Sequence, residues 1–292
     1  MYQQFYNLDV LPFENTSDPR FFFSSEQHRE AVAAIEYTIR MRKGIVLVTG
    51  DIGSGKTTVC RALSKQCKNT ATVVQVLHGH VTGFELLRHI MCTLEVPIGK
   101  DDDHPCLLQR LCAHLTQQAN QNRSVVLFVD EAQTLCDESL EELRLLTNFD
   151  TASQKLLQVV LIGQPELRER IRSHKFAALR QRIVLAKRLT PLNRRDTGDY
   201  IAHRIRVASI DPDSVHATFT PEAVQAVYDY TGGVPRLINV ACDNCLLLGF
   251  VRETKQITPA IVKRVIDDMV PSFATDDWTA HPRPALSLAG NF

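Results

Sequence analysis

The feature that most constrains this chain is Gly50-Asp51-Ile52-Gly53-Ser54-Gly55-Lys56-Thr57. It follows the β-branched run Ile45 to Thr49 and precedes a helical segment that begins Thr57-Thr58-Val59. The stretch satisfies G-x-x-x-x-G-K-[ST] in the strand, turn and helix context that the pattern requires. Its glycines let the backbone curl so that successive N–H groups face phosphate oxygens, and the helix N-terminus adds partial positive charge. Lys56 is expected to neutralise β and γ oxygens, and the Thr57 hydroxyl to ligate Mg²⁺. A simple connecting turn rarely needs three glycines and a lysine at these places. Gly50, Asp51, Ile52, Gly53, Ser54, Gly55, Lys56, Thr57 and Thr58 are therefore read as an ATP site.

A phosphate loop after a strand calls for more strands beside it. Apolar runs at Thr72 to Leu77, Val125 to Asp130, Leu156 to Gly163 and Ile183 to Leu189 alternate with helical patterns, which predicts stacked βαβ units and a five-stranded parallel sheet. The fold class is α/β. With 292 residues and 44% hydrophobic content, there is material for one sizeable α/β core and a smaller second domain. After Pro191 the strand signals stop, and Thr220-Pro221 and Thr258-Pro259 each place an N-cap before an N1 proline, the start of helices in a small all-helical domain. The expected organisation is an aromatic segment at 1–24 packing on the domain that follows, a P-loop α/β domain at 25–191, a helical lid at 192–270 and a flexible tail at 271–292.

Val125-Val126-Leu127-Phe128-Val129-Asp130-Glu131 is an apolar strand that ends in two carboxylates. Adjacent residues at a strand's end diverge in direction, so Asp130 can hold the Mg²⁺ shell while Glu131 orients or polarises the attacking water. A third strand end, Gly163-Gln164-Pro165, offers Gln164 as a sensor of the γ-phosphate or that water. Two arginines complete the set. Arg182 lies in Leu179-Arg180-Gln181-Arg182-Ile183 before the last strand, and Arg236 in Thr231-Gly232-Gly233-Val234-Pro235-Arg236 at the start of a later helix. Arginine suits charge developing on phosphoryl oxygens because its rigid fork stays protonated.

Together these motifs resemble an AAA+ ATPase, and more narrowly the ExeA-type ATPases, also called general secretion pathway protein A. The narrower resemblance rests on Phe5 to Phe13, Asp18-Pro19-Arg20-Phe21-Phe22 with Ser24 and His28, Leu145-Leu146-Thr147-Asn148, Leu161-Ile162-Gly163-Gln164-Pro165-Glu166-Leu167 and Arg236-Leu237-Ile238-Asn239. It implies a three-layer P-loop sandwich with a helical lid. It also implies Gln164 as sensor 1, Arg236 as sensor 2, and Arg182 as a finger inserted into a neighbouring subunit, with Arg180 its rival. A finger acting in trans implies a homo-oligomer. By the same resemblance the aromatic N-terminal segment and the helix at 25–42 border the adenine. Longer ExeA-type proteins continue into a membrane span and a periplasmic peptidoglycan-binding region.

Lysine plus arginine equals aspartate plus glutamate at 33 each, so net charge gives no argument for nucleic acid or an acidic membrane. Locally the balance differs. Segment 165–206 is basic, with Arg168, Arg170, Arg172, Lys175, Arg180, Arg182, Lys187, Arg188, Arg194, Arg195, Arg204 and Arg206. It could track DNA phosphates or form a subunit interface. Cys242-Asp243-Asn244-Cys245 has metal or redox spacing without a second pair, and reads as a core-facing helical pair. No apolar run approaches the ~20 residues of a membrane span, and no basic start is followed by one, so the chain is read as cytoplasmic, with an inner-membrane partner able to recruit it. Three functions compete: an oligomeric, Mg-dependent ATPase that remodels part of a bacterial secretion or pilus system; an ATP-gated, DNA-binding regulator of transposition; and a nucleotide-dependent scaffold with little turnover.

Overall fold

The structure is a computed structural model that describes residues 1–16, 18–68, 70–76, 81–152, 154–211 and 216–273, with side chains up to residue 269. Five strands form one parallel sheet: β1 (Ile45–Gly50), β2 (Ala71–Val76), β3 (Ser124–Val129), β4 (Leu157–Gly163) and β5 (Ile183–Leu189). Their order is β2-β3-β4-β1-β5. Leu77, expected in the second strand, lies outside the described residues. Because β1, β3 and β4 have neighbours on both sides, they tolerate continuous runs of Val, Ile and Leu, and β1 and β4 are buried along their whole length. β5 is an edge, and its residues alternate between part-buried and exposed until Leu189.

Strand side chains alternate between two apolar clusters, one for each face. Leu47, Leu127, Val159 and Leu161 point into the larger cluster, and Val46, Val48, Val126, Phe128, Val160 and Ile162 into the other. After α1 (Gln3–Tyr6), helices α2 (Glu26–Arg40) and α3 (Lys56–Cys67) cover the smaller cluster through Ala31, Ile35, Val59 and Leu63. The opposite face carries α4 (Gly83–Thr93), α5 (His104–Asn120), α6 (Asp137–Leu146), α7 (Pro165–Arg172) and the single turn α8 (Ala177–Arg180). Helix starts follow local chemistry: Thr82 and Glu85 form a reciprocal capping box on α4, and Asp103 caps α5. Of the three consecutive aspartates Asp101, Asp102 and Asp103, the last is this helix cap and Asp102 pairs with Arg110 at 2.5 Å.

Four further helices follow: α9 (Arg194–Ala208), α10 (Pro221–Thr231), α11 (Pro235–Val251) and α12 (Pro259–Phe273). Thr220 accepts a hydrogen bond from the Ala223 N–H ahead of Pro221, as an N-cap should. Two-residue strands β6 (Thr218–Phe219) and β7 (Gln256–Ile257) pair in parallel just before α10 and α12. They are too short to register as strands in the sequence.

The aromatic N-terminal segment takes a different path from the one expected. Tyr2, Tyr6, Leu8, Phe13 and Phe21 are buried with α9 to α12 in a third cluster, whereas Phe22 packs with the α2–α3 cluster. The physical reason is complementarity: the α9–α12 bundle has an open apolar face, and Tyr6 satisfies its hydroxyl on the Leu246 and Thr254 carbonyls at 3.1 Å each. The Tyr2 hydroxyl donates to Asp243. Helix α12 runs to Phe273, and the expected tail beyond it lies outside the described residues. Among the described residues, no helix is long and apolar enough to cross a membrane.

Candidate nucleotide-binding site

Register places the chemistry. Thr49 pairs with Gly163 and Val129 with Leu161, so the loop after β1, the carboxylates after β3 and Gln164 after β4 share one rim of three adjacent strands. The carboxyl ends of parallel strands are the usual position for a ligand in such sheets. A cleft of about 400 Å³ opens there. Its walls include Gly53, Gly55, Lys56, Thr57, Thr58, Glu131, Gln164 and Arg236, together with Thr16, Phe21, Phe23, Leu192 and Tyr200 from distant parts of the chain.

The loop from Gly50 to Gly55 wraps tightly under α3. Lys56 is 6% exposed, and its ammonium donates to the Gly50 and Asp51 carbonyls at 2.8 and 2.9 Å. Burial pushes the Lys56 pKa down, opposed by Glu131, Asp130 and Asp51. Ser54 Oγ is buried with no hydrogen-bond partner among the described residues. An orphaned hydroxyl in a phosphate loop fits a ligand oxygen. Gly53 has φ +80°, and a Cβ there would come within 2.7 Å of Arg236 Cβ, so only glycine lets the start of α11 rest on the loop. The Arg236 N–H in turn donates to the Gly53 carbonyl at 3.3 Å. The Arg236 side chain is exposed at the cleft.

Asp130 is 4% exposed. It takes hydrogen bonds from the Glu131 N–H at 2.9 Å and from the Thr57 hydroxyl. Desolvation pushes its pKa up, while those hydrogen bonds and Lys56 pull it down. Thr57 and Asp130, separated by 73 positions, therefore meet, and hydroxyl plus carboxylate is a hard oxygen donor set that fits Mg²⁺. Glu131 sits at φ 50° and ψ 37°, a left-handed conformation uncommon for a residue with a side chain. Its carboxylate accepts from Gln133 Nε2 at 2.5 Å and from Gln164 Nε2 at 3.5 Å. Sequence reading passed over Gln133. A glutamine two positions after Glu131 was the only signal, and nothing local says that its amide turns back.

It also gave no role to His28. This buried ring shares a 2.6 Å hydrogen bond with Ser25 Oγ, the cap of α2, and reaches the Ser54 backbone. Burial holds it below the usual histidine range. His28 thereby braces the phosphate loop against α2.

Arg182 is not at this rim. It precedes β5, where Ile183 pairs with Ile45, so it lies at the amino edge of the sheet, away from the chain's own phosphate loop. Its Nε is buried with no hydrogen-bond partner among the described residues. Arg180, its rival, donates to the Arg172 carbonyl at the end of α7, at 2.6 Å.

The basic segment is partly neutralised within the chain. Arg170 and Lys175 pair with Asp137, Arg172 with Glu169 at 3.0 Å, Lys187 with Glu30 at 2.7 Å and Arg195 with Asp199 at 3.9 Å. Arg204 is internal. Its guanidinium donates to the Pro12 and Glu14 carbonyls and to the Tyr200 hydroxyl, and stacks 4.6 Å from the Phe21 ring centre. Cys242 and Cys245 are both buried in α11, and desolvation pushes both thiols up. Cys92 and Cys136, by contrast, are exposed. Among the described residues no group of three His, Cys, Asp or Glu could hold a metal.

Residues 39–171 match the AAA domain family. The chain is 39% identical over 290 residues to general secretion pathway protein A of Aeromonas hydrophila, covering 99% of this chain and 52% of that protein; it thus spans about half the length of this relative. Among solved structures, Cdc6p from Pyrobaculum aerophilum superposes with a TM-score of 0.66 at 15% identity, over 95% of this chain and 75% of that one. The ORC2 protein of Aeropyrum pernix, solved as ADPNP–ADP complexes, gives 0.64 at 16% identity, over 90% and 72%. At such identities the likeness concerns the fold, which is the AAA+ architecture of a five-stranded parallel sheet followed by C-terminal helices.

Proposed function

Because this chain is an AAA-domain protein homologous to general secretion pathway protein A, we propose that it binds and hydrolyses ATP with Mg²⁺ as a homo-oligomer and remodels or assembles a partner complex of a bacterial secretion or pilus system. The observation that carries the reading is the meeting of Thr57 and Asp130 beneath the phosphate loop, with Glu131 beside them held by Gln164 at the end of β4. Mg²⁺ bound through Thr57 and Asp130 would offset phosphate charge. The loop N–H groups and Lys56 bind and orient the phosphates, with Lys56 exchanging its loop carbonyls for phosphate oxygens. Glu131 accepts a proton from the attacking water, and Gln164 fixes that water's position.

Arg236 approaches from the same chain's α11, and Arg182, at the far edge of the sheet, serves a neighbour's site. The lid at 192–270 closes over the base, with Phe21, Phe23 and Tyr200 as its apolar wall. The protein acts in the cytoplasm and reaches the inner membrane through its partner. The DNA-binding reading draws less support, since six of the twelve basic side chains named in segment 165–206 pair with acids of the same chain and Arg204 is buried.

Steady-state ATP hydrolysis across a protein concentration series tests the proposal. Specific activity should rise with concentration. Turnover should fall at least about a hundredfold in Glu131→Gln with ATP binding intact, and about a thousandfold in Arg182→Ala, as for an arginine finger. Wild-type activity no higher than that of Glu131→Gln at every concentration would refute hydrolysis and favour a scaffold; stimulation by duplex DNA would revive the transposition-like reading.

A further inference from the structure

We infer that Gln133 is a positioning residue that clamps the Glu131 carboxylate to the end of β4, an inference that rests on the ATPase reading above. The side-chain amide of Gln133 uses both of its ends. Nε2 donates to Glu131 Oε2 at 2.5 Å, and Oε1 accepts the backbone N–H of Gln164 at 3.0 Å. One amide plane thus bridges the ends of β3 and β4 and fixes the water-facing acid against the residue that follows β4.

Three details show that the bridge is built in. The turn Ala132–Thr134 that carries Gln133 is fastened from α7: Arg170 donates to the Gln133 and Leu135 carbonyls at 3.4 and 2.6 Å and pairs with Asp137. Glu131 itself is turned into the left-handed region, where Thr134 donates to its carbonyl through both its N–H and its hydroxyl. Room for the amide exists only because position 163 has no side chain: a Cβ there would lie 2.9 Å from Gln133 Oε1 and 2.8 Å from Leu167 Cδ2.

A carboxylate held by a fixed donor keeps one rotamer. Without the donor it can swing, and misplacement of a reacting group by about 1 Å can cost on the order of a hundredfold in rate. The role is positional, because Gln133 reaches the chemistry only through Glu131.

The test compares wild type with Gln133→Ala, Gln133→Glu and Gly163→Ala in ATP affinity by calorimetry, in kcat and KM, and in the pH dependence of kcat. Gln133→Ala should lower kcat at least tenfold while affinity and KM stay within about twofold. Gly163→Ala, which displaces the amide from outside, should lower kcat in the same way. Gln133→Glu sets a second carboxylate against Glu131. Like charges disfavour ionisation, so the acid limb of its rate profile should move to higher pH, which Gln133→Ala would not produce. Retention of kcat by Gln133→Ala, or loss of affinity in proportion to rate, overturns the inference. If wild type itself shows no turnover, the ATPase reading fails and the clamp is judged on the free protein. Exchange of the Gln133 side-chain amide protons should then be at least tenfold slower than in an exposed glutamine and faster in Glu131→Ala; exchange at the free rate in wild type overturns it.

Discussion

The two ends of the cleft are built in opposite ways. At the phosphate end, the groups come from two short runs, 50–58 and 130–133, with Gln164 on the intervening strand. At the other end, Arg204 on α9 ties Pro12 and Glu14, about 190 positions away, to Tyr200, whose hydroxyl donates to Asn239 on α11 at 2.8 Å; Asn239 in turn donates to Asn15 at 3.0 Å. The first end is local sequence placed by a sheet. The second is long-range polar stitching inside an apolar cluster. Damage to the first should therefore remove chemistry and leave the protein folded, whereas damage to the second should loosen the α9–α12 bundle and weaken binding as a consequence.

The largest effect that tests this contrast is Glu131→Gln, expected to reduce kcat by about a hundredfold or more while the urea unfolding midpoint hardly moves. A large stability loss in that variant would break the distinction. Next is Arg204→Ala. It strands the buried Pro12 carbonyl and removes the donors to the Glu14 carbonyl and the Tyr200 hydroxyl, and should cost about 3 kcal/mol of stability by denaturant titration, with kcat per folded molecule unchanged. Tyr2→Phe removes only the hydroxyl that donates to Asp243, and about 1 kcal/mol is expected.

A gentler probe uses pH. The folded-state pKa of His28 is depressed by burial, so its neutral form stabilises the fold fully above the unfolded value and this contribution is lost as pH falls from about 6.5 through the depressed folded value. Stability of wild type should decline over that window. His28→Gln should flatten the decline without abolishing it, because His203 is also held low by desolvation. Smallest of all is Arg195→Ala. Its ion pair with Asp199 is exposed, and a change below about 0.5 kcal/mol is expected.

Legibility in the sequence follows the same division. Strand runs, the phosphate loop and the Asp130-Glu131 pair could be read because each is a contiguous pattern whose spacing dictates its geometry. The sheet class followed from alternating periods, although the order in which β4 inserts between β3 and β1 did not. Gln133 escaped notice because its meaning depends on β4 lying next to β3, a fact no local window contains. Arg204 was misread as part of a basic surface for a related reason: an arginine on a helix is usually solvated, and only the path of residues 12–14 across α9 supplies the carbonyls that let it be buried. The N-terminal rings were legible as a pinned segment, but their receptor is a cluster that forms from helices almost 200 positions later.

One junction has a mechanical consequence. The Leu192 N–H donates to the Gly233 carbonyl at 2.8 Å, and three residues later the Arg236 N–H donates to Gly53, so the chain leaving the sheet, the entry to α11 and the phosphate loop are joined at one point. Helix α11 has 17 residues and extends about 25 Å from that fulcrum. A tilt of about 10° at the loop would move its far end by about 4 Å, given the rise of 1.5 Å per residue. That end is where Tyr6 grips the Leu246 carbonyl and Phe5 meets Phe250. The helix is thus a lever whose short arm rests on the phosphate loop, and its long arm carries the first six residues of the chain as a load.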